Sequence, residues 1–461
     1  RFEDLAETAR NLGKQIVALK VGASEQAQAA SFSHTASLAG SEAGANALFD
    51  RLGIARVSSL SALLETLRLL HVTGPLSSNR ILCMSCSGGE ASLVADTAIG
   101  HELVFPPLTE GQTARLRKVL GPHVALANPL DYQTDVWGDF ARLKQCFLGA
   151  MDRGLGLLGI ILDFPRLDRC DPAEWPLVVD AAAAARQEGG VPVALIASLP
   201  ETLPEDIAKA AAQRGLATLS GLPDALTAIA QAAWLGKPRQ TPPRLLLPCD
   251  EGTSRLLTEA EAKDTLATFG LSAPQARRCE TPAEAVVAAE DLGGLVVLKG
   301  EGFAHKTEAG AVVLGLSSGE EVRAAAEAMG APAFLVEEMV DGAVAELLLG
   351  VTRDPAHGVV LTLGAGGVLA EVLEDTVSLL LPVSRGDIAH VLGRLRISRL
   401  LEGYRGRAAA NQPAIVDAVM ALQGYVQAEA NRIQEVEINP LICTPDRAVA
   451  ADALIRLREE P

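Results

Sequence analysis

A chain of 461 residues is too long for one ordinary domain and predicts two to four. Its 57 acidic against 40 basic side chains leave a net charge of −17, with no basic stripe or tail, which excludes a protein that grips nucleic acid through a cationic face. Nearly half of the residues are apolar but only 3% aromatic, and no apolar run reaches the ~18 residues of a membrane span, so buried strands alternating with small-residue helices are expected, away from any membrane.

The chain opens without a methionine, directly in a helical pattern (Phe2, Leu5, Ala6, Ala9, Leu12), as a segment cut from something longer would. A strand-like run over 15–22 leads into Ser31-Phe32-Ser33-His34-Thr35-Ala36-Ser37-Leu38-Ala39-Gly40, and a helical run begins near Gly44. A histidine among small hydroxylated residues and alanines, on a loop between strand and helix, has little steric cover. Neutral imidazole, with a pKa near ~6.5, is a competent nucleophile toward a phosphoryl group. Read alone, such a histidine is more often a cap or a surface residue. A short strand at Ala55-Arg56-Val57 and a helix from Leu60 to Leu70 complete an α/β unit over 1–75, which Pro75 and Ser77-Ser78-Asn79 close.

A second α/β unit over 76–236 opens with the buried-strand run Arg80 to Ser85 and turns through Cys86-Ser87-Gly88-Gly89-Glu90 into a helix. Glycines between strand and helix let backbone N–H groups approach an anion at the helix start, so Ser87, Gly88 and Gly89 are candidate phosphate contacts; the plain alternative is a tight turn. Further strands are expected at 159–163, 191–196 and 217–219, and Asn128-Pro129-Leu130-Asp131 interrupts the pattern at a turn. Alternating strands and helices with parallel-strand composition predict a doubly wound, flavodoxin-like sheet. Of seven cysteines only Cys83 and Cys86 form a CxxC, and without a second pair they read as two buried thiols at a strand end. With no signal peptide evident, a reducing cytoplasm is the expected compartment.

Prolines 238, 242, 243 and 248 mark residues 237–255 as a linker, and Thr258-Glu259-Ala260-Glu261 begins a helix of a third unit, 256–461. There a strand over 295–298 ends in Lys299, beside the glycine-rich Gly300-Glu301-Gly302-Phe303-Ala304-His305-Lys306-Thr307-Glu308-Ala309-Gly310, a placement suited to nucleotide phosphates. A second strand runs into Glu337, Glu338 and Met339, and Glu346 stands inside an otherwise apolar strand, where a ribose hydroxyl or a cation would compensate its charge. On a strand Glu435, Glu437 and Asn439 share one face, and a hairpin would bring Asp452 beside them. Glu437, Asn439 and Asp452 supply hard oxygen ligands of the kind Mg²⁺ takes together with phosphate oxygens. The plain reading of each carboxylate is a solvated edge.

These motifs, in this order, resemble the NDP-forming acyl-CoA synthetases, the family of ADP-forming acetyl-CoA synthetase and succinyl-CoA synthetase. Ser33-His34-Thr35 with Ser37-Leu38-Ala39-Gly40 resembles its phosphohistidine loop, Ser87-Gly88-Gly89 its phosphate-binding helix, and Asn128-Pro129-Leu130-Asp131 a motif that follows. The unit over 256–461 is similar to its ATP-grasp domain. Within it, Val297-Leu298-Lys299 and His305 to Gly310 match the segment carrying a relay histidine, Val336-Glu337-Glu338-Met339 the adenine hinge, and Glu437-Ile438-Asn439-Pro440 with Asp452 the metal-binding strand pair. Ala36 and Ala311 stand where the family usually has glycine. The resemblance implies flavodoxin-like ligase domains followed by an ATP-grasp domain, with a CoA-binding domain expected ahead of Arg1.

It further implies an ATP-dependent, ADP-forming ligase with Mg²⁺, ATP, CoA and a small carboxylic acid as ligands. His34 and His305 would be the catalytic phosphoryl carriers and Lys299, Glu337, Glu338, Met339 and Glu346 the nucleotide contacts. A homo-oligomer is compatible with all of this. One alternative is a regulatory module of a lysine acetyltransferase built on the same scaffold, which the presence of both histidines disfavours. Another is a carboxylate–amine ligase using ATP-grasp alone, which leaves the first 240 residues unexplained.

Overall fold

The computed structural model describes residues 1–22, 24, 41–166, 168–248, 252–301, 310–367 and 369–459. By contact the chain divides into two compact units, Arg1–Ala23 with Leu52–Pro242, and Ser24–Arg51 with Pro243–Pro461. No helix among the described residues is long and apolar enough to cross a membrane.

In the first unit a short parallel pair, β1 (Val17–Leu19) and β2 (Ala55–Val57), accompanies a five-stranded sheet. That sheet comprises β3 (Ile81–Ser85), β4 (Leu130–Asp131), β5 (Leu157–Ile161), β6 (Val193–Ala197) and β7 (Ala217–Ser220). All neighbours are parallel and the order is β4-β3-β5-β6-β7. This is the flavodoxin-like order expected from the sequence, and it reverses direction between β3 and β5. Every residue of β3, β5 and β6 is buried. Helices cover both faces of a parallel sheet, so uninterrupted apolar runs such as Leu157 to Ile161 are what such strands require.

The second unit holds two antiparallel sheets. β9 (Ala276–Cys279), β10 (Val296–Gly300), β11 (Val312–Leu316) and β12 (Phe334–Glu338) form one, in the order β11-β10-β12-β9. The larger has the order β15-β14-β13-β16-β18-β8, with β17 against β16. Its strands are β8 (Ser254–Leu256), β13 (Ala345–Asp354), β14 (Gly358–Ala365), β15 (Thr376–Leu380), β16 (Ile433–Cys443), β17 (Ala448–Ala450) and β18 (Ala453–Arg458). Leu347, Leu349 and Val351 of β13 share one buried core with Ile415, Val419 and Leu422 of the helix Gln412–Ala428. β13 alternates between buried and partly exposed positions, so Glu346 lies on the face away from that core, not within an apolar interior. Proline-rich residues before β8 are tied down by backbone bonds from Leu246 to Leu381 and from Val359 to Leu246.

One helix of this second unit, α1 (Glu42–Leu52), follows the His34 segment in sequence. Ser41 donates its backbone N–H and its hydroxyl to Asp354 Oδ2 at 2.9 and 2.7 Å. At the far end Arg51 donates to the carbonyls of Leu380, Pro382 and Pro243. Burial raises the Asp354 carboxyl, but the Ser41 hydroxyl, His357 and the N–H groups of Ser41 and Ala356 outweigh it and hold it down at about 2.

Candidate active site

In the second unit the strand register decides which side chains meet. Val297 pairs with Glu337, and Lys299 with Leu335. Lys299 and Glu337 are therefore diagonal neighbours on the face of β10 and β12 opposite Leu298 and Val336, which pack with the helices Pro282–Leu292 and Gly319–Met329. Above that face lies α2 (Glu259–Ala267), started by a reciprocal capping box between Thr258 and Glu261. Ala262 and Leu266 of α2 join the core, and Glu259 and Lys263 share their stripe.

The result is a buried cluster of two ammonium and two carboxylate groups. Lys299 Nζ lies 2.6 Å from Glu259 Oε1 and 3.0 Å from Glu337 Oε2; Lys263 Nζ lies 2.6 Å from Glu259 Oε1 and 2.6 Å from Glu337 Oε1. The side chains of Glu259, Lys263, Lys299 and Glu337 are 3, 4, 9 and 2% exposed, so bulk water screens none of these contacts. Burial opposes charge on Lys299, yet the carboxylates of Glu259, Glu337 and Asp452 outweigh it and raise the group above the ordinary lysine range. Burial and the neighbouring Lys299 ammonium pull Lys263 down.

Lys299 also donates to the carbonyl of Ala451 at 2.6 Å, which brings it to the hairpin between β17 and β18. Ala453 pairs with Ile438 and Leu454 with Glu437, so Asp452 stands one step beyond, level with Asn439. Glu435 and Glu437 alternate with buried Val436 and Ile438, as the sequence pattern predicts, and Glu435 is paired with Arg456 at 3.2 Å. Asn439 Oδ1 accepts the N–H of Gly367 at 2.8 Å. The chain turns there through Gly366 and Gly367. A Cβ at Gly366 would lie 2.4 Å from the carbonyl carbon of Leu347, and one at Gly367 (φ +60°) 1.8 Å from Glu346 Oε2. Glu338 pairs with Arg447 at 3.1 Å, and the Met339 N–H is bonded to the Leu295 carbonyl.

Lys299, Glu337, Asp452, Asn439, Glu437 and Glu346 thus lie on adjoining strands at the meeting of the two sheets. Among the described residues no three His, Cys, Asp or Glu side chains form a metal-binding group. A cation there would draw on Glu437, Asp452, the Asn439 amide oxygen and ligand oxygens, a hard and incomplete set that fits Mg²⁺, which keeps water and phosphate in its shell. His34 and His305 lie outside the described residues. Glu259 and Lys263 were missed by sequence reasoning. Their signal is a Glu and a Lys four apart, sharing the stripe of Ala262 and Leu266.

In the first unit, Ser87 caps α3 (Gly88–Thr97) at the carboxyl end of β3, beside the point where the sheet order reverses. The Ser87 N–H donates to Ser85 Oγ at 2.9 Å, and the Ser85 hydroxyl donates to Glu90. A Cβ on Gly88 would come 3.1 Å from Asp131 Oδ2, and one on Gly89 3.6 Å from Ser87 Oγ. Burial raises the Glu90 carboxyl against the Ser85 hydrogen bond, with Asp163 and Asp131 adding to the rise. Three carboxylates therefore oppose an anion that the helix start attracts. Burial pushes the Cys83 thiol up to about 12 and Cys86 up to about 11, so both are protonated thiols at neutral pH.

Against known proteins, residues 249–457 match the ATP-grasp domain and residues 1–70 the succinyl-CoA ligase like flavodoxin domain. The fold and this pair of matches define a nucleotide-dependent CoA-ligase scaffold. The chain is 26% identical to a trans-feruloyl-CoA synthase of an unknown prokaryotic organism, over 98% of this chain and 66% of that one. It is 26% identical to the ADP-forming acetate–CoA ligase of Methanocaldococcus jannaschii, over 93% of this chain and 64% of that one. Acetate–CoA ligase [ADP-forming] II of Archaeoglobus fulgidus is 34% identical over 44% of this chain and 31% of that one. The chain spans about two thirds of the length of the relatives that match it throughout. The chain thus carries an ATP-grasp domain and a succinyl-CoA ligase-like domain, and it is similar over most of its length to proteins named as acyl-CoA ligases.

Proposed function

We propose that the chain is the phosphoryl-transfer core of an ATP-dependent, ADP-forming acyl-CoA synthetase, which joins a carboxylic acid to CoA through phosphohistidine and acyl phosphate. The observation that carries the reading is the meeting of the buried Lys299 ammonium with the hairpin of Asp452, beside Asn439 and Glu437. Relatives named as ADP-forming ligases, 25–26% identical over 93–97% of the chain, support the same direction.

In this reading Lys299 binds phosphate oxygens and offsets charge developing on the leaving ADP. Glu338 and Met339 border the adenine, and Glu346 receives the ribose. Mg²⁺ held by Glu437, Asn439 and Asp452 would supply further charge neutralisation on the phosphates. His305 takes the γ-phosphoryl as the bond to the ADP oxygen breaks, and it passes to His34. The substrate carboxylate then attacks phosphorus, breaking the P–N bond and forming acyl phosphate. The CoA sulfur attacks the acyl carbon, phosphate leaves, and the thiol proton goes to solvent. A covalent carrier avoids hydrolytic loss of the phosphoryl group on its way to the acid. The first-unit helix start at Ser87, Gly88 and Gly89 receives the phosphohistidine through its N–H groups.

The test is product analysis with Mg-ATP, CoA and a panel of aliphatic and aryl acids. ADP, phosphate and thioester in equal amounts support the reading; AMP and pyrophosphate in their place contradict it.

A further inference from the structure

We propose that Lys263 is a positioning residue of the nucleotide site. It bridges Glu259 and Glu337, neutralising the carboxylates that Lys299 must release when it binds phosphate. The inference rests on the Mg-ATP reading of this unit.

The geometry leaves Lys299 occupied. Its ammonium has hydrogen bonds to Glu259 and to the Ala451 carbonyl at 2.6 Å each, and an ion pair with Glu337 at 3.0 Å. A phosphate oxygen reaches this ammonium only by taking the place of a present partner. What remains when Lys299 turns to phosphate is two carboxylates, each bonded to Lys263 at 2.6 Å. With Lys263 in place the remainder carries one net negative charge. Without it the remainder carries two, in a site too dry to screen them and facing a polyanion. The absence of Lys263 also removes a cation that shares both carboxylates with Lys299, so they hold Lys299 more firmly. Either way the penalty falls on the phosphates of the ligand and not on its base or sugar.

Glu259 plays the opposite part. Its Oε1 is shared by both lysines, so it competes with phosphate for Lys299. Replacing it with the isosteric, uncharged glutamine removes one competitor and leaves the shape of the cluster.

The experiment is calorimetric binding of Mg-ATP, Mg-ADP and adenosine to the wild-type chain and to Lys263→Met, Glu259→Gln and the double variant, with folding confirmed by thermal unfolding. Lys263→Met is expected to lose about tenfold or more in affinity for ATP and ADP. Adenosine affinity stays within about twofold, as the charge argument requires. Glu259→Gln is expected to bind ATP about threefold or more tightly, and the double variant to recover most of the loss. Should Lys263→Met fail to fold, Glu259→Gln decides: unchanged or weaker ATP binding overturns the proposal. So does a loss in Lys263→Met that adenosine shares, since a lysine that merely props the fold would weaken all three ligands alike. Absence of ATP and ADP binding by the wild-type chain would overturn the nucleotide reading itself, whereas equal ATP binding by wild type and variants overturns the role of Lys263 alone.

Discussion

The ammonium of Lys299 donates to the backbone carbonyl of Ala451 at 2.6 Å, tethering the central strand of the smaller sheet to the residue that precedes Asp452 on the larger one. The metal-binding carboxylate and the phosphate-binding cation of the proposed site are thus set by one hydrogen bond. Replacing Lys299 with methionine removes the phosphate contact and leaves the ion pairs of Lys263 with Glu259 and Glu337. Mg-ATP affinity is expected to fall by about 100-fold, the worth of one hydrogen bond to a charged group. Titration calorimetry of the folded variant reads it.

Gly366 and Gly367 carry the loop that meets Asn439. An alanine at Gly366 would drive its Cβ into the Leu347 backbone, which cannot rotate away as a side chain can. Gly366→Ala is expected to cost about 2–4 kcal/mol in urea unfolding and to weaken the Mg²⁺ dependence of nucleotide binding. Gly386→Ala is the control. It lies inside the helix Arg385–Leu392, where its Cβ meets only Ser384 Oγ at 3.6 Å, and it is expected to be neutral or to stabilise by up to ~1 kcal/mol.

Asp354 ties down the N-terminus of α1 and titrates at about 2, below its ordinary 3.8. A carboxyl depressed by folding adds stability that is fully present above its unfolded pKa and vanishes as pH falls through the folded one. Asp354→Asn is therefore expected to be less stable than wild type by about 2 kcal/mol near neutral pH. The gap should close between about pH 4 and pH 2, which denaturant melts across that range would show.

At the start of α3 the raised Glu90 carboxyl takes up its proton above the usual glutamate range. Inorganic phosphate is expected to bind there more tightly as the pH falls and Glu90 loses its charge. Glu90→Gln should bind it several-fold tighter near neutral pH and lose much of that pH dependence, since about one nearby charge is removed. Phosphorus NMR titrations of both proteins would show the two curves.

Much of the fold was legible because its signals are local. The continuous apolar runs at Ile81 to Ser85 and Val193 to Ala197 read as parallel strands without any partner in view, and the alternation of Glu435, Glu437 and Asn439 with Val436 and Ile438 placed three polar residues on one face. The surroundings of Glu346 follow from the same alternation. The run Val344 to Val351 looks uniformly apolar, but every second side chain faces away from the core, and Glu346 is one of these. The charge cluster was not legible. Glu259 and Lys263 are four apart on a helix, the commonest pattern of a solvated surface, and only the packing of α2 against β18 and the helix Gln412–Ala428 turns that pair inward onto Lys299 and Glu337. Tertiary contacts such as that between residues 263 and 337 leave no mark in either segment alone.

In the proposed mechanism phosphorus travels on histidine. The direct measurement is transfer of label from γ-³²P-ATP to the chain in the presence of Mg²⁺, for the wild type, His34→Ala and His305→Ala. The expected result is an acid-labile, alkali-stable label on the wild type, retained on His305 when His34 is replaced, and lost when His305 is replaced. Acid-stable label, or undiminished labelling of the His305→Ala protein, would contradict it.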